Sequence, residues 1–343
     1  METQIIDVRD RDSAGARQAF AWAGELLRAG GLVAFPTETV YGLGADALNS
    51  QAAEGIFAAK GRPADNPLIA HIDSLDMGER LAGFTPLGLR LAKKYWPGPL
   101  TLVLPKRPIV PDATTAGLNT VALRYPAHPA AQALIQAAGL PIAAPSANLS
   151  GKPSPTLAQH VYEDLAGKIP LILDGGPVLI GLESTVVDAQ GDLPVLLRPG
   201  QISLEELAAF CGDCLLPAGE AARRPAAPGM KYRHYAPKGA LYLAPDWRAI
   251  EAQRLALLVQ GPEEPLLILS QESAGELQAR GLRPENMLIY GSRGDQAAYA
   301  RTAFACLREA DRRGAGRIIA ETVPQQGLGR AIMNRLSKAA AKK

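Results

Sequence analysis

The chain reads as an α/β protein with a mixed sheet, and three observations carry that expectation. Short apolar runs of four or five residues alternate with capped helical stretches. The turns between the last runs of the N-terminal part are short, which favours antiparallel pairing, whereas the C-terminal runs alternate with helices as in a parallel layer. A stretch holding Pro217, Pro225, Pro228 and Pro237 among several Ala and Gly residues divides the two patterns.

In order, Ser13 caps a helix running to about Arg28, stopped by Gly30-Gly31. Leu32 to Phe35 is a buried strand, and Pro36 to Gly44 reads as a loop. Asn49 or Ser50 caps a helix that ends near Lys60-Gly61. Leu68 to Ile72 is a strand, Pro86 to Tyr95 a helix, and Leu100 to Leu104 a strand after the Trp96-Pro97-Gly98-Pro99 turn. Val121 to Arg124 and Leu140 to Ala144 are strands flanking a helix from His128 to Ala138. Further strands are expected at Leu171–Leu173, Ser184–Val187 and Val195–Leu197. Beyond Gly239, strands are expected at Leu241–Leu243, Leu255–Val259, Leu266–Leu269, Met287–Tyr290 and Arg317–Glu321, with a clear helix from Gln296 to Arg313. Gly327-Leu328-Gly329 is only a partial dinucleotide fingerprint and is read as a helix start. The domain reading is 1–216, a linker at 217–238, and 239–343.

Composition narrows the function. The chain has 343 residues, 47% of them hydrophobic, and a net charge of +2. That is enough to bury sizeable cores but supplies no global basic field for nucleic acid or membrane. The N-terminus is polar and soon acidic, unlike a signal peptide, and no apolar run approaches the roughly 20 residues of a membrane helix. A cytoplasmic protein without membrane contact is expected. Cys211-Gly212-Asp213-Cys214 has redox or half-zinc spacing, but with three cysteines and four histidines in all, a loop holding two thiols is the better reading.

The densest chemistry lies in Lys60-Gly61-Arg62-Pro63-Ala64-Asp65-Asn66-Pro67-Leu68, which places two cations beside a turn at the mouth of a strand. Arg offers a planar fork of donors and Lys a compact charge, the pair a polyanion needs. Arg124 and Arg198 each follow an apolar strand and precede a proline turn, the strand-end position where open α/β sheets hold ligands. Ser146, Asn148, Ser150 and Ser154 lie in a loop of small residues where main-chain N–H groups can approach a phosphate. His71 ends the strand that follows these cations, which favours a substrate contact over a core role. Glu183 to Asp188 reads either as a strand edge or as pocket lining near Arg198. A P-loop and a Gly-x-Ser-x-Gly elbow are both absent. The linker centre, Pro228 to Pro237, holds two Tyr, one His and two cations, a composition suited to docking.

Four runs together resemble the YrdC-like family: Phe35-Pro36-Thr37-Glu38-Thr39-Val40-Tyr41-Gly42-Leu43-Gly44; Lys60-Gly61-Arg62-Pro63 with Asn66-Pro67-Leu68; Trp96-Pro97-Gly98-Pro99-Leu100-Thr101; and Pro145-Ser146-Ala147-Asn148. His234-Tyr235-Ala236-Pro237 and the second domain resemble its long two-domain members, the threonylcarbamoyl-AMP synthases. The resemblance implies a twisted mixed sheet with a large concave cavity and a smaller Rossmann-like α/β domain. It implies that L-threonine, bicarbonate and ATP give threonylcarbamoyl-adenylate and pyrophosphate, for modification of the adenosine beside the tRNA anticodon. Threonine contacts are implied at Thr39, His71, Arg124, Ala144 and Ser184. ATP contacts are implied at Arg62, Asn66, Thr120, Ser146, Ser154, Arg198 and Tyr235. Lys60, Arg62, Ser146 and Asn148 form the catalytic signatures, with Lys60 and Arg62 offsetting phosphate charge. Mg²⁺ is expected with ATP, and the implied partners are a downstream tRNA threonylcarbamoyl transferase and a weak tRNA contact. Tyr235 would reach the cavity if the linker closes as a lid. The rival readings are an RNA-binding module with a basic concave surface, a hydrogenase-maturation carbamoyltransferase and a nucleotide sensor.

Overall fold

A computed structural model describes residues 1–217 and 234–340. The chain forms two compact units, Met1–Ser150 with Ser154–Tyr232, and Gly151–Pro153 with Arg233–Lys343. Most of the expected linker, including the part of the lid up to residue 233, lies outside the described residues.

The first unit is built on ten strands: β1 (Gln4–Asp7), β2 (Val33–Phe35), β3 (Gly42–Asp46), β4 (Ile69–His71), β5 (Leu100–Pro105), β6 (Thr120–Arg124), β7 (Ile142–Ala143), β8 (Leu171–Asp174), β9 (Thr185–Asp188) and β10 (Val195–Arg198). They join in the order β1-β8-β2-β3-β7-β4-β6-β5-β9-β10. The sheet is mixed: β4 runs parallel to β6 and β5 to β9, while β2–β3, β5–β6 and β9–β10 are antiparallel. Its helices are α1 (Ala14–Arg28), α2 (Ser50–Lys60), α3 (Leu75–Leu81), α4 (Pro86–Tyr95), α5 (Asp112–Thr115), α6 (Pro129–Ala138), α7 (Ala158–Leu165) and α8 (Leu204–Cys211).

Local chemistry sets these bounds. Ser13 accepts from the Ala16 N–H to start α1, and Asn49 accepts from the Gln51 and Ala52 N–H groups to start α2. Gly61 ends α2 in the left-handed region at φ +59, where a Cβ is disfavoured. One element differs from expectation in type: the last third of the loop expected at 36–44 is strand, because Gly42, Leu43 and Gly44 pair with Phe35, Ala34 and Val33. The apolar signal there is diluted by glycines that close packing demands; a Cβ on Gly44 would stand 2.7 Å from Ile142. The sequence reading passed over β1, α3, α5, α7 and α8, all of eight residues or fewer.

Strand alternation divides the core. Val33, Phe35, Leu171 and Leu173 pack under α1 and α6, with Phe20, Leu27, Leu134 and Ile135. Ala34, Leu43, Leu102, Leu104 and Leu123 face the other layer, with Ile56, Leu91 and Val161 of α2, α4 and α7. On β4, β6, β5 and β9 the face away from that layer carries only a small cluster, Ile69, Val103, Ala122 and Val186. Two residues along the same strands, and therefore on the same face, come His71, Arg124, Thr101 and Ser184.

The second unit is a four-stranded, all-parallel sheet ordered β11-β14-β12-β13, made of β11 (Ala240–Ala244), β12 (Leu266–Ser270), β13 (Met287–Gly291) and β14 (Arg317–Glu321). Its helices are α9 (Trp247–Gln260), α10 (Gln271–Gln278), α11 (Gln296–Arg312) and α12 (Leu328–Ala340). The strand expected at Leu255–Val259 is instead the last turns of α9. A short apolar run does not distinguish strand from buried helix, and here Leu and Ala favour helix while Asp246 caps a continuous helix whose Ile250 and Leu257 reach the core. The Gly327–Gly329 segment opens α12, as a helix start should.

Candidate active site

The parallel pairing of β4 and β6 puts His71 directly opposite Arg124 at the carboxyl ends of both strands. Arg124 is 4% exposed. Its Nη1 donates to Thr39 Oγ1 at 2.9 Å and its Nε to the Gly98 carbonyl at 3.3 Å. Its Nη2 lies 2.6 Å from Glu38 Oε1. This last pair is close in charge but not aligned as a hydrogen bond, so Nη2 and both Glu38 oxygens are buried without a hydrogen-bond partner among the described residues.

The loop carrying Glu38 and Thr39 is itself held firmly. Thr37 Oγ1 donates to the Val40 carbonyl at 2.6 Å and lies 2.8 Å from Thr39 Oγ1. The Ile180 and Gly181 N–H groups donate to the Glu38 and Thr39 carbonyls. Burial disfavours the Glu38 charge, but the adjacent Arg124 outweighs it and holds the carboxyl below its ordinary range. His71 is driven the other way: burial, reinforced by the Arg124 charge, pulls its pKa down to about 3. Its Nδ1 faces two carbonyl oxygens, Ile69 at 3.2 Å and Ile142 at 3.3 Å. A neutral ring must therefore carry its proton on Nδ1, which leaves Nε2 as an acceptor. Ala144 closes this corner, its N–H donating to the Ile69 carbonyl.

A second group surrounds Ser184. Arg198 donates from Nε to the Ser184 carbonyl at 3.1 Å and from Nη2 to Ser184 Oγ at 3.0 Å, and Thr101 Oγ1 lies 2.7 Å from the same hydroxyl. Gly200 makes this possible: a Cβ there would sit 2.3 Å from the Thr185 nitrogen. Next along the chain, Glu183 accepts from Ser154 Oγ at 2.5 Å.

A third group is the loop after β7. Lys60, buried at the end of α2, donates to the carbonyls of Ser146 and Asn148 at 2.5 Å each. The Ala147 N–H donates to the Tyr41 carbonyl, binding this loop to the one after β2. Nearby in sequence, Arg62 donates from Nη2 to the Asn66 and Pro67 carbonyls and lies over the Phe57 ring. The Asn66 amide is fully buried, and neither its oxygen nor its nitrogen has a partner among the described residues. A buried amide in that state can offer both a donor and an acceptor to a bound group.

Thr39, His71, Arg124 and Ala144 therefore meet around one point, and Ser184 and Arg198 bond directly. Lys60, Ser146 and Asn148 are one unit. Thr120 stands apart from Arg124, four residues back along β6, or about 13 Å. Tyr235 belongs to the second unit, where its ring stacks on Phe304 at 5.1 Å and lies under Arg335. Its φ of +67 is unusual for a residue with a Cβ. Cys211 ends α8 and Cys214 is buried; burial pushes the Cys214 thiol up to about 11, the opposite of an activated thiol. The described residues hold no group of three or more His, Cys, Asp or Glu placed to bind a metal ion. Sequence reasoning missed Glu38 and Thr101 as site residues. An acidic residue between two threonines, just after a fully apolar strand, was the available signal for Glu38.

Comparison with known proteins identifies the family. A family model described as telomere recombination, covering Sua5, YciO and YrdC proteins, matches residues 25–200. A second, described as the threonylcarbamoyl-AMP synthase C-terminal domain, matches residues 202–341. The chain is 47% identical to a threonylcarbamoyl-AMP synthase of Pyrococcus abyssi over 98% of this chain and 97% of that one. It is 46% identical to that of Bacillus subtilis, over 98% and 96%. The crystal structure of P. abyssi Sua5 complexed with L-threonine superposes with a TM-score of 0.88 at 45% identity, covering 98% of both chains.

Proposed function

The chain belongs to the Sua5/YciO/YrdC family as one of its long, two-domain threonylcarbamoyl-AMP synthase members, and from that premise we propose that it makes threonylcarbamoyl-AMP and pyrophosphate from L-threonine, bicarbonate and ATP. The observation that carries the reading is the buried Arg124 fork, whose Nη2 lacks an aligned hydrogen bond beside Thr39 and a neutral His71. A fork of that kind suits an α-carboxylate, and a close relative is known in complex with L-threonine.

In the proposed reaction the threonine amine and bicarbonate form a carbamate. A carbamate oxygen attacks the α-phosphorus of ATP, and pyrophosphate leaves. No protein nucleophile is required. The protein's part is to hold two anionic reactants close together and to offset charge as the phosphate reacts. Arg124 and Thr39 would hold the amino acid. Arg62, Asn66, Ser146, Ser154 and Arg198 would face the nucleotide, with Lys60 shaping the loop that carries Ser146 and Asn148. Mg²⁺ would enter as part of the nucleotide substrate, with phosphates and water as most of its ligands. The product would pass to a tRNA threonylcarbamoyl transferase in the cytoplasm, for modification beside the anticodon. No helix among the described residues is long and apolar enough to cross a membrane.

The test is pyrophosphate release from ATP with threonine and bicarbonate added or omitted in turn. Release that needs both supports the reading. Folded protein that gives no threonine-dependent release, yet binds RNA with a steep salt dependence, would replace it with an RNA-binding role.

A further inference from the structure

We propose that Glu38 is a placeholder carboxylate: it pairs with the Arg124 guanidinium, gives way to the α-carboxylate of the incoming amino acid, and then receives that amino acid's ammonium group and its proton. The inference rests on the threonine reading above and assigns a role to a residue that reading leaves unused.

Three observations carry it. Glu38 is buried on a loop fixed at both ends, with Oε1 2.6 Å from Arg124 Nη2 and the Glu38 and Ala127 N–H groups close by, but with no hydrogen bond of good alignment among the described residues. A purely structural ion pair in so dry a place needs good geometry and satisfied lone pairs to offset desolvation; this pair has the charge match without the alignment. Second, Arg124 uses its Nε–H on Gly98 and one Nη1 proton on Thr39, so the Nη2 edge of the fork is the part a substrate carboxylate can take, and Glu38 stands on it. Third, the other titratable groups facing Glu38 are His71 and His128, and burial lowers the pKa of both rings. The buried corner thus offers an amino acid one cation and one anion, which matches a zwitterion.

The chemistry balances. The substrate ammonium gives a proton to a Glu38 oxygen, leaving a neutral amine and a carboxylic acid. The amine nitrogen attacks the bicarbonate carbon, a C–N bond forms, and hydroxide leaves with a second amine proton as water. The sum is ammonium plus bicarbonate giving carbamate, water and one proton, which Glu38 holds and returns to solvent. Losing Arg124 to the substrate carboxylate is what turns Glu38 from a stable carboxylate into a proton acceptor.

The experiment is titration calorimetry of L-threonine and of 3-hydroxybutanoate, which lacks the amine, against the full-length wild type and Glu38→Gln, in buffers of different ionisation enthalpy. The wild type is expected to prefer threonine by about tenfold or more. It should take up about one proton with 3-hydroxybutanoate and none with threonine, because a displaced Glu38 without an ammonium must be protonated from solvent. In Glu38→Gln both the preference and the uptake should vanish. Pyrophosphate release in that variant should rise about tenfold per pH unit as solvent deprotonates the amine in place of Glu38. The wild-type proton count stands even if the variant does not fold. Equal proton counts for the two ligands in the wild type, or a preference that survives in folded Glu38→Gln, would overturn the inference and leave Glu38 a brace for Arg124. Wild-type protein that binds neither ligand would instead overturn the threonine reading itself.

Discussion

Lys60 Nζ donates to the main-chain oxygen of Asn148, a residue 88 positions away in sequence, and to that of Ser146. An ammonium, 4% exposed and placed on two carbonyls, is a clasp between the end of α2 and the loop after β7. Cations are legible in a sequence; what they hold is decided by the fold.

Removing that clasp should cost stability before it costs chemistry. Lys60→Met keeps the stem but removes a charged donor from two main-chain carbonyls, so a loss of about 2–4 kcal/mol is expected in urea unfolding. An unchanged midpoint would mean that water replaces the ammonium and that Lys60 is not a structural tie.

Arg62 should behave differently. It is partly exposed and anchored to its own loop through the Asn66 and Pro67 carbonyls. Arg62→Ala is expected to lower threonine-dependent pyrophosphate release about 100-fold, or roughly 3 kcal/mol of barrier. Its unfolding midpoint should stay near that of the wild type. Wild-type turnover in the variant would remove Arg62 from the nucleotide site.

Acid should weaken the protein above the carboxylate range. His71, down to about 3, and His128, also lowered, are both depressed by burial and stay neutral when folded. The unfolded chain binds protons near pH 6.5, so stability is full above that pH and falls as pH drops toward the folded values. Between pH 6.5 and 4.5 the slope from His71 should approach roughly 1 kcal/mol per pH unit. Below about 4.5 the depressed Glu38 adds a loss of the same sign. Unfolding curves of His71→Asn against pH should be flatter across the upper window; a slope equal to wild type would mean that His71 is protonated in the native state.

Gly200 should not accept a side chain. A Cβ there would meet the Thr185 nitrogen at 2.3 Å, main chain that cannot swing aside. Gly200→Ala is expected to cost about 1–3 kcal/mol. Because Arg198 is two residues away and bonds Ser184, the KM for one substrate should also rise in any folded variant. Normal stability and normal KM together would contradict the close packing seen here.

Much of this protein was determined by sequence alone. Helix caps at Ser13 and Asn49, apolar runs such as Leu100–Leu104, and the helix starting at Gln296 are local signals, and they came out as local structure. The family motifs marked Thr39, His71, Arg124 and Ser184 as residues of interest. The tertiary structure decided the rest, because it depends on pairing between distant segments. It made a strand of Gly42–Asp46, whose glycines hide the apolar pattern but admit close packing against Phe35 and Ile142. It settled Leu255–Val259 as helix, because a short apolar run reads equally as strand or buried helix until the upstream cap and core contacts are known. And it set Glu38 on Arg124, a pairing that no spacing in the sequence announces, since it arises only when the register of β4 and β6 brings their ends under the loop after β2.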